Sequence, residues 1–145
     1  MKSILEKVQV EALIPQKAPF VMVDKLFYWA DDKAITGFQV PEDTIFAEEG
    51  SFTESGIIEH MAQSVAVHSG YRYHNTNEDV PTGYIGAIKE VTILLLPLVG
   101  DELVTEVFIL QEFMGITLVD ITTKLNNTVI ATSQMKTVIV SGPQE

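Results

Sequence analysis

Apolar positions recur along the chain at two different spacings. Phe20 to Tyr28 and Lys33 to Val40 suit strands, with Asp31–Asp32 as the turn and Ala34, Thr36, Phe38 and Val40 on one face. Before them, residues 3–13 suit one short helix with Ile4, Val8 and Leu13 near one face, and Pro15 and Pro19 mark a loop. Residues 41–52 show no period, and Gly50 points to irregular structure. The spacing then turns helical. Ile57, Ile58, Met61, Ala62, Val65 and Ala66 form a broad apolar stripe, with Thr53 or Ser55 as N-cap, Glu54 in the first turn and Gly70 as the stop.

From about residue 82 the pattern is strand throughout. Gly83 to Leu95 reads as one long strand. Glu102 to Phe113 follows with Leu103, Val107 and Ile109 on one side, then Ile116 to Leu125 with Val119, Ile121 and Leu125 inward, then Val129 to Val140. Turn signals at Gly115 and Asn126–Asn127 make the last three an antiparallel meander. A helix this apolar must be wrapped by the sheet. The expected molecule is one α+β domain over residues 1–145.

The 145 residues are 46% apolar and 20% charged, which is globular. Nine basic against 20 acidic residues give a net charge of −11, which excludes general nucleic-acid binding and disfavours anionic membrane surfaces. Without cysteine there is no disulfide, thiolate metal site or cysteine nucleophile. The run Val91 to Val99, interrupted by Pro97, is about half of a membrane span. Residues 1–10 hold no apolar stretch of signal-peptide type, so a cytoplasmic location is expected. There is no G-x-S-x-G, H-E-x-x-H or P-loop, and neither a metal nor a nucleotide cofactor is implied.

Two segments carry a resemblance. Leu13-Ile-Pro-Gln-Lys-Ala-Pro-Phe-Val-Met-Val-Asp-Lys-Leu26 resembles the entry segment of bacterial 3-hydroxyacyl-acyl-carrier-protein (ACP) dehydratases, and Gly56-Ile-Ile-Glu-His-Met-Ala-Gln63 resembles their helix motif. Ser64-Val-Ala-Val-His-Ser-Gly70 is similar to the branch associated with aryl-polyene biosynthesis. Tyr84 to Glu90 and Pro97 to Asp101 are similar to the family's long strand and the turn after it. The resemblance implies the hotdog fold, a curved antiparallel sheet around one long central helix. It also implies an acyl-thioester substrate and a dimer paired through the long strands, with a site shared between subunits.

Family chemistry removes water from a 3-hydroxyacyl thioester with a helix carboxyl and a histidine that precedes the helix. The carboxyl falls on Glu59, where a charge among Ile57, Ile58, Met61 and Ala62 is costly without a partner or a task. The alternative is a Glu at the stripe edge facing water. The histidine position falls on Ile45, followed by Phe46, and no His occurs before His60. The family's second His is Gln16 here, and the glycine of its P-G pair falls on Glu54, with Gly56 two residues on. His60 is the nearest substitute, pointing about 100° from Glu59 towards a neighbouring subunit or solvent; a structural His is the alternative reading. His68 reads as a structural or surface His on roughly the opposite face, and His74 as part of a polar loop, Tyr71 to Glu78. Gln63, one turn after Glu59, either shapes the site or is a buried amide satisfied by backbone. Catalytic candidates are thus Glu59 and His60, and substrate-binding candidates are Gln63, Gly56, Ile45 and Phe46. Tyr28, Trp29, Phe108, Phe113 and Met114 read as core or interface.

Three functions compete on this pattern: a dehydratase acting on an ACP or CoA thioester, a hotdog acyl-CoA thioesterase using Glu59, or a non-catalytic subunit of a heterodimeric dehydratase. Homodimer and heterodimer are both open, and the partner of a heterodimer would supply the missing His. An acidic carrier would need a local basic patch, with Arg72 and Lys89 as candidates, or a basic partner.

Overall fold

Strand pairing follows the alternation read along the chain. In a computed structural model, which describes residues 2–76 and 82–140, β1 (Lys25–Ala30) and β2 (Lys33–Gln39) form the first hairpin. A two-residue pair, β3 (Ala47–Glu48) and β4 (Ser51–Phe52), folds the 41–52 stretch back on itself. The long strands are β5 (Thr82–Ile93), β6 (Glu102–Phe113), β7 (Ile116–Leu125) and β8 (Thr128–Val140). They complete a six-stranded antiparallel sheet in the order β1-β2-β6-β7-β8-β5. The β6–β7–β8 meander is as expected.

Helix α2 (Glu54–Asn75) lies against one face of this sheet, touching β1, β2, β5, β6 and β7. Phe38, Phe52, Ile57, Met61, Leu103 and Val119 form the centre of the main core. A second cluster joins the amino-terminal segment to the far half of α2 through Val10, Leu13, Leu26 and Val67. The architecture is the hotdog: one long helix held by an antiparallel sheet. No helix among the described residues is long and apolar enough to cross a membrane.

Three boundaries depart from the sequence reading. Helix α1 is only Lys7–Glu11, because residues 4 and 5 leave it to bond the edge of β1 at Leu26. Val10 is then the buried residue, and Val8 is 82% exposed. Phe20 to Asp24 is not strand; side chains of α2 hold its backbone instead. Gly70 does not stop α2. A Cβ there would meet Leu13 O at 2.4 Å, so the glycine lets the amino-terminal segment lie directly on the helix, which continues to Asn75.

The two sheet edges are unlike. Residues 4 and 5 cover part of β1, while β5 forms the other edge with Tyr84, Ile85, Ile88 and Val91 exposed. Its bulges fall between Ile85 and Ala87 and between Lys89 and Thr92.

Candidate active site

The site is built at the start of α2. Thr53 Oγ1 accepts from Gly56 N at 3.2 Å, an N-cap as expected. Gly56 is required by packing: a Cβ would lie 2.5 Å from the Phe52 ring and 2.9 Å from Phe46 Cβ. Its amide is taken by the cap, so it is not a spare donor for a thioester oxygen. The close approach pins the β3–β4 pair onto the helix, with Phe46 O accepting from Thr53 N at 2.9 Å. Phe46 is thus partly buried against the core, and Ile45 beside it is 49% exposed.

Glu59 is partly buried one and a half turns into α2. Its Oε2 accepts from Gln63 Nε2 at 2.8 Å, an i,i+4 contact along the helix. Among the described residues its Oε1 has no donor. Gln63 is fully buried and does more than hold Glu59. Its Oε1 accepts from Met22 N at 2.6 Å and its Nε2 also donates to Phe20 O at 2.8 Å. The two readings of Gln63 therefore coexist: it satisfies backbone and it touches the carboxylate.

His60 does not face solvent. It is fully buried; Nδ1 lies 2.7 Å from Met22 O and Nε2 2.7 Å from Thr105 Oγ1, whose oxygen is 2.8 Å from Thr123 Oγ1. Burial drives its pKa from 6.5 down to about 4, against the opposing pull of the Met22 carbonyl, so it is neutral at pH 7. With both ring nitrogens bonded inside the core, His60 has none to offer a substrate. Helical spacing placed it off the apolar stripe, but α2 is buried on that flank by β6, and a histidine can pay the cost of burial with two hydrogen bonds.

His68 is likewise buried, bonded to Ala30 O at 2.9 Å and stacked on Trp29, whose Nε1 donates to His68 O at 3.0 Å. Burial again lowers its pKa. His74 is exposed in the last turn of α2, not in a loop; residues 77 and 78 of that expected loop lie outside the described residues. Arg72 is bonded to Glu112 at 3.1 Å and Asp31 O at 2.9 Å, so its charge is partly offset where a docking patch with Lys89 was expected.

Two cavities flank this region. One, of about 260 Å³, runs along the small side chains Ala62, Ala66 and Ser69 of α2, between Leu13–Gln16 and the start of β5 at Tyr84 and Ile85. The other, of about 520 Å³, opens between α1 and β2 beside Met22, Asp24 and Thr44. Glu59 lines neither, but it lies on the helix face that carries Ala62 and Ala66, one turn closer to the helix start. No group of three His, Asp or Glu side chains among the described residues is placed to hold a metal ion.

What sequence reasoning missed is the backbone of Phe20 and Met22, the other half of the Gln63 and His60 contacts. The available signal was a proline-marked segment that precedes a strand and needs hydrogen-bond partners.

One helix held by an antiparallel sheet defines a hotdog protein, and Glu59 near the helix start is its candidate carboxylate. Comparison with known proteins narrows the class. The model of the ApeP-like family, described as ApeP dehydratase, matches residues 8–142, and the chain belongs to that family. The 3-hydroxyacyl-[acyl-carrier-protein] dehydratase FabZ of Pasteurella multocida is 30% identical over 120 residues, covering 79% of this chain and 78% of that protein. FabZ of Vibrio cholerae is 24% identical over 141 residues, covering 93% and 92%. The solved dehydratase heterocomplex ApeI:P from Xenorhabdus doucetiae superposes with a TM-score of 0.85 at 20% identity, covering 92% of this chain and 91% of that one.

Proposed function

We propose that the chain dehydrates a 3-hydroxyacyl-ACP thioester as one half of a composite site, with Glu59 as its acid/base and a histidine contributed by a partner hotdog chain. The observation that carries this is the contrast between one oriented carboxyl with a free oxygen and three histidines that cannot reach it. His60 and His68 are bonded inside the fold, and His74 lies roughly 22 Å further along the helix axis than Glu59. Dehydration needs two proton-transfer groups: together the carboxyl and the imidazole remove the C2 proton and protonate the departing 3-hydroxyl, releasing water and leaving a 2-enoyl thioester.

Further features support the reading. The cavity of about 260 Å³ lies along the Glu59 face of α2 and is walled mainly by apolar side chains, as an acyl chain requires. Ile45 and Phe46 would form the apolar wall at the helix entrance, where the family histidine is replaced. The β5 edge, with its exposed apolar side chains, is the surface through which a second hotdog chain would pair. The relative of like fold is itself a dehydratase heterocomplex. A basic partner would also offset the charge of −11 that opposes an acidic carrier. The same reading places the protein in the cytoplasm.

The test is dehydration of a panel of 3-hydroxyacyl-ACP and -CoA thioesters by the chain alone and mixed with a histidine-bearing hotdog chain from the same organism. Turnover only in the mixture is the expected result. Equal turnover by the chain alone would remove the composite site, and thioester hydrolysis without dehydration would replace the reaction.

A further inference from the structure

We propose that His60 is a positioning residue for Glu59, acting through the backbone of Met22 and the side chain of Gln63; this rests on the assignment of Glu59 as the catalytic carboxyl. A carbonyl oxygen can only accept, so the proton on His60 must sit on Nδ1 and donate to Met22 O. Nε2 is then the acceptor, and the Thr105 hydroxyl donates into it, itself accepting from Thr123. Every bond in the chain has one direction.

The direction continues to the carboxylate. Met22 N donates to Gln63 Oε1, which fixes the amide so that Nε2 faces Phe20 O and Glu59 Oε2. A flipped amide would set Nε2 against the Met22 N–H and Oε1 against a carbonyl and a carboxylate. The orientation of Glu59 is therefore decided by Met22 N, and the backbone on both sides of the Met22 Cα must be held still. The sheet does not hold it: the ladder with β2 begins only at Asp24, whose N donates to Gly37 O at 2.9 Å. His60 supplies the missing brace at Met22 O, adjacent along the helix to the carboxyl it helps to orient.

Two substitutions separate this from a structural role. Asn at position 60 can place an N–H where His carries Nδ1–H, whereas Gln reaches the Nε2 position. His60→Asn thus keeps the donor to Met22 O and loses Thr105, and His60→Gln does the reverse; both lower thermal stability. In the complex with the partner chain, His60→Asn should keep kcat within about threefold and His60→Gln should lose about tenfold in kcat with KM little changed. Glu59→Gln in the same assay keeps the two claims apart. If it leaves the rate intact, the role of Glu59 fails and that of His60 with it. If it abolishes the rate while the two His60 variants fall equally or not at all, His60 only fills the core and the proposal is overturned. Should either variant not fold, ¹⁵N NMR of the wild-type chain decides. A neutral Nδ1–H tautomer at pH 7, with Gln63 side-chain protons slow to exchange, supports the brace; an Nε2–H tautomer overturns it.

Discussion

Helix α2 carries two buried histidines eight residues apart, and they serve different ends. His60 bonds through Nδ1 to a segment that has no strand partner, and the contacts lead on to Glu59. His68 bonds through Nε2 to Ala30 at the end of β1, beneath Trp29, and nothing in that cluster leads to the carboxyl. Both replace a solvated ring by a bonded, neutral one. The lesson is that burial of a histidine near a carboxyl says little about catalysis; what its acceptors hold in place says more.

The largest break in this contrast is Gln63→Leu. It leaves Met22 N and Phe20 O without their partner and frees the carboxylate, so a loss of about 3 kcal/mol by urea unfolding is expected. A fall in kcat of at least about tenfold should accompany it in the complex. Loss of stability without loss of rate would show that the amino-terminal half is as purely structural as the other.

Acid should act next. The folded pKa of His60, about 4, lies below its ordinary 6.5, so protonation favours the unfolded chain. The stabilisation is fully present above pH 6.5 and is lost as pH falls from 6.5 towards 4, about 2 kcal/mol of it by pH 5. His68, also lowered, adds in the same direction. Thermal unfolding at pH 7.5 and 5 should therefore show a smaller acid loss in His60→Asn than in wild type. An unchanged loss would remove His60 from the titrating set.

Two milder changes probe the carboxyl-terminal half. Gly70→Ala sets a methyl against Leu13 O at 2.4 Å, and about 1–3 kcal/mol of stability should be lost as the amino-terminal segment is lifted. Trp29→Phe removes the donor to His68 O and should cost about 1 kcal/mol, with dehydration unchanged. A rate loss in Trp29→Phe would erase the distinction between the halves.

Much of this was legible in the chain. The alternation of Ala34, Thr36, Phe38 and Val40 and of Val119 and Ile121 marks the inward face, and the helical stripe from Ile57 to Ala66 marks the central helix. The motif around Glu59 supplied the family. Periodicity alone does not find the polar side chains of the core: His60, Gln63, Ser64 and His68 are buried because particular backbone and hydroxyl groups receive them, and such pairing spans 28 to 41 residues. Gly70 misled because a glycine that ends a helix and one that admits a neighbouring backbone look alike in sequence.

The most direct measurement is kcat for 3-hydroxyacyl-ACP dehydration by the complex carrying Glu59→Gln, with complex formation and melting temperature checked in parallel. An intact complex with turnover reduced by about 10²–10⁴ is the result expected of a lost acid/base. An intact complex that retains the wild-type rate would contradict the account, because the carboxyl that Gln63 orients would then have no part in the chemistry.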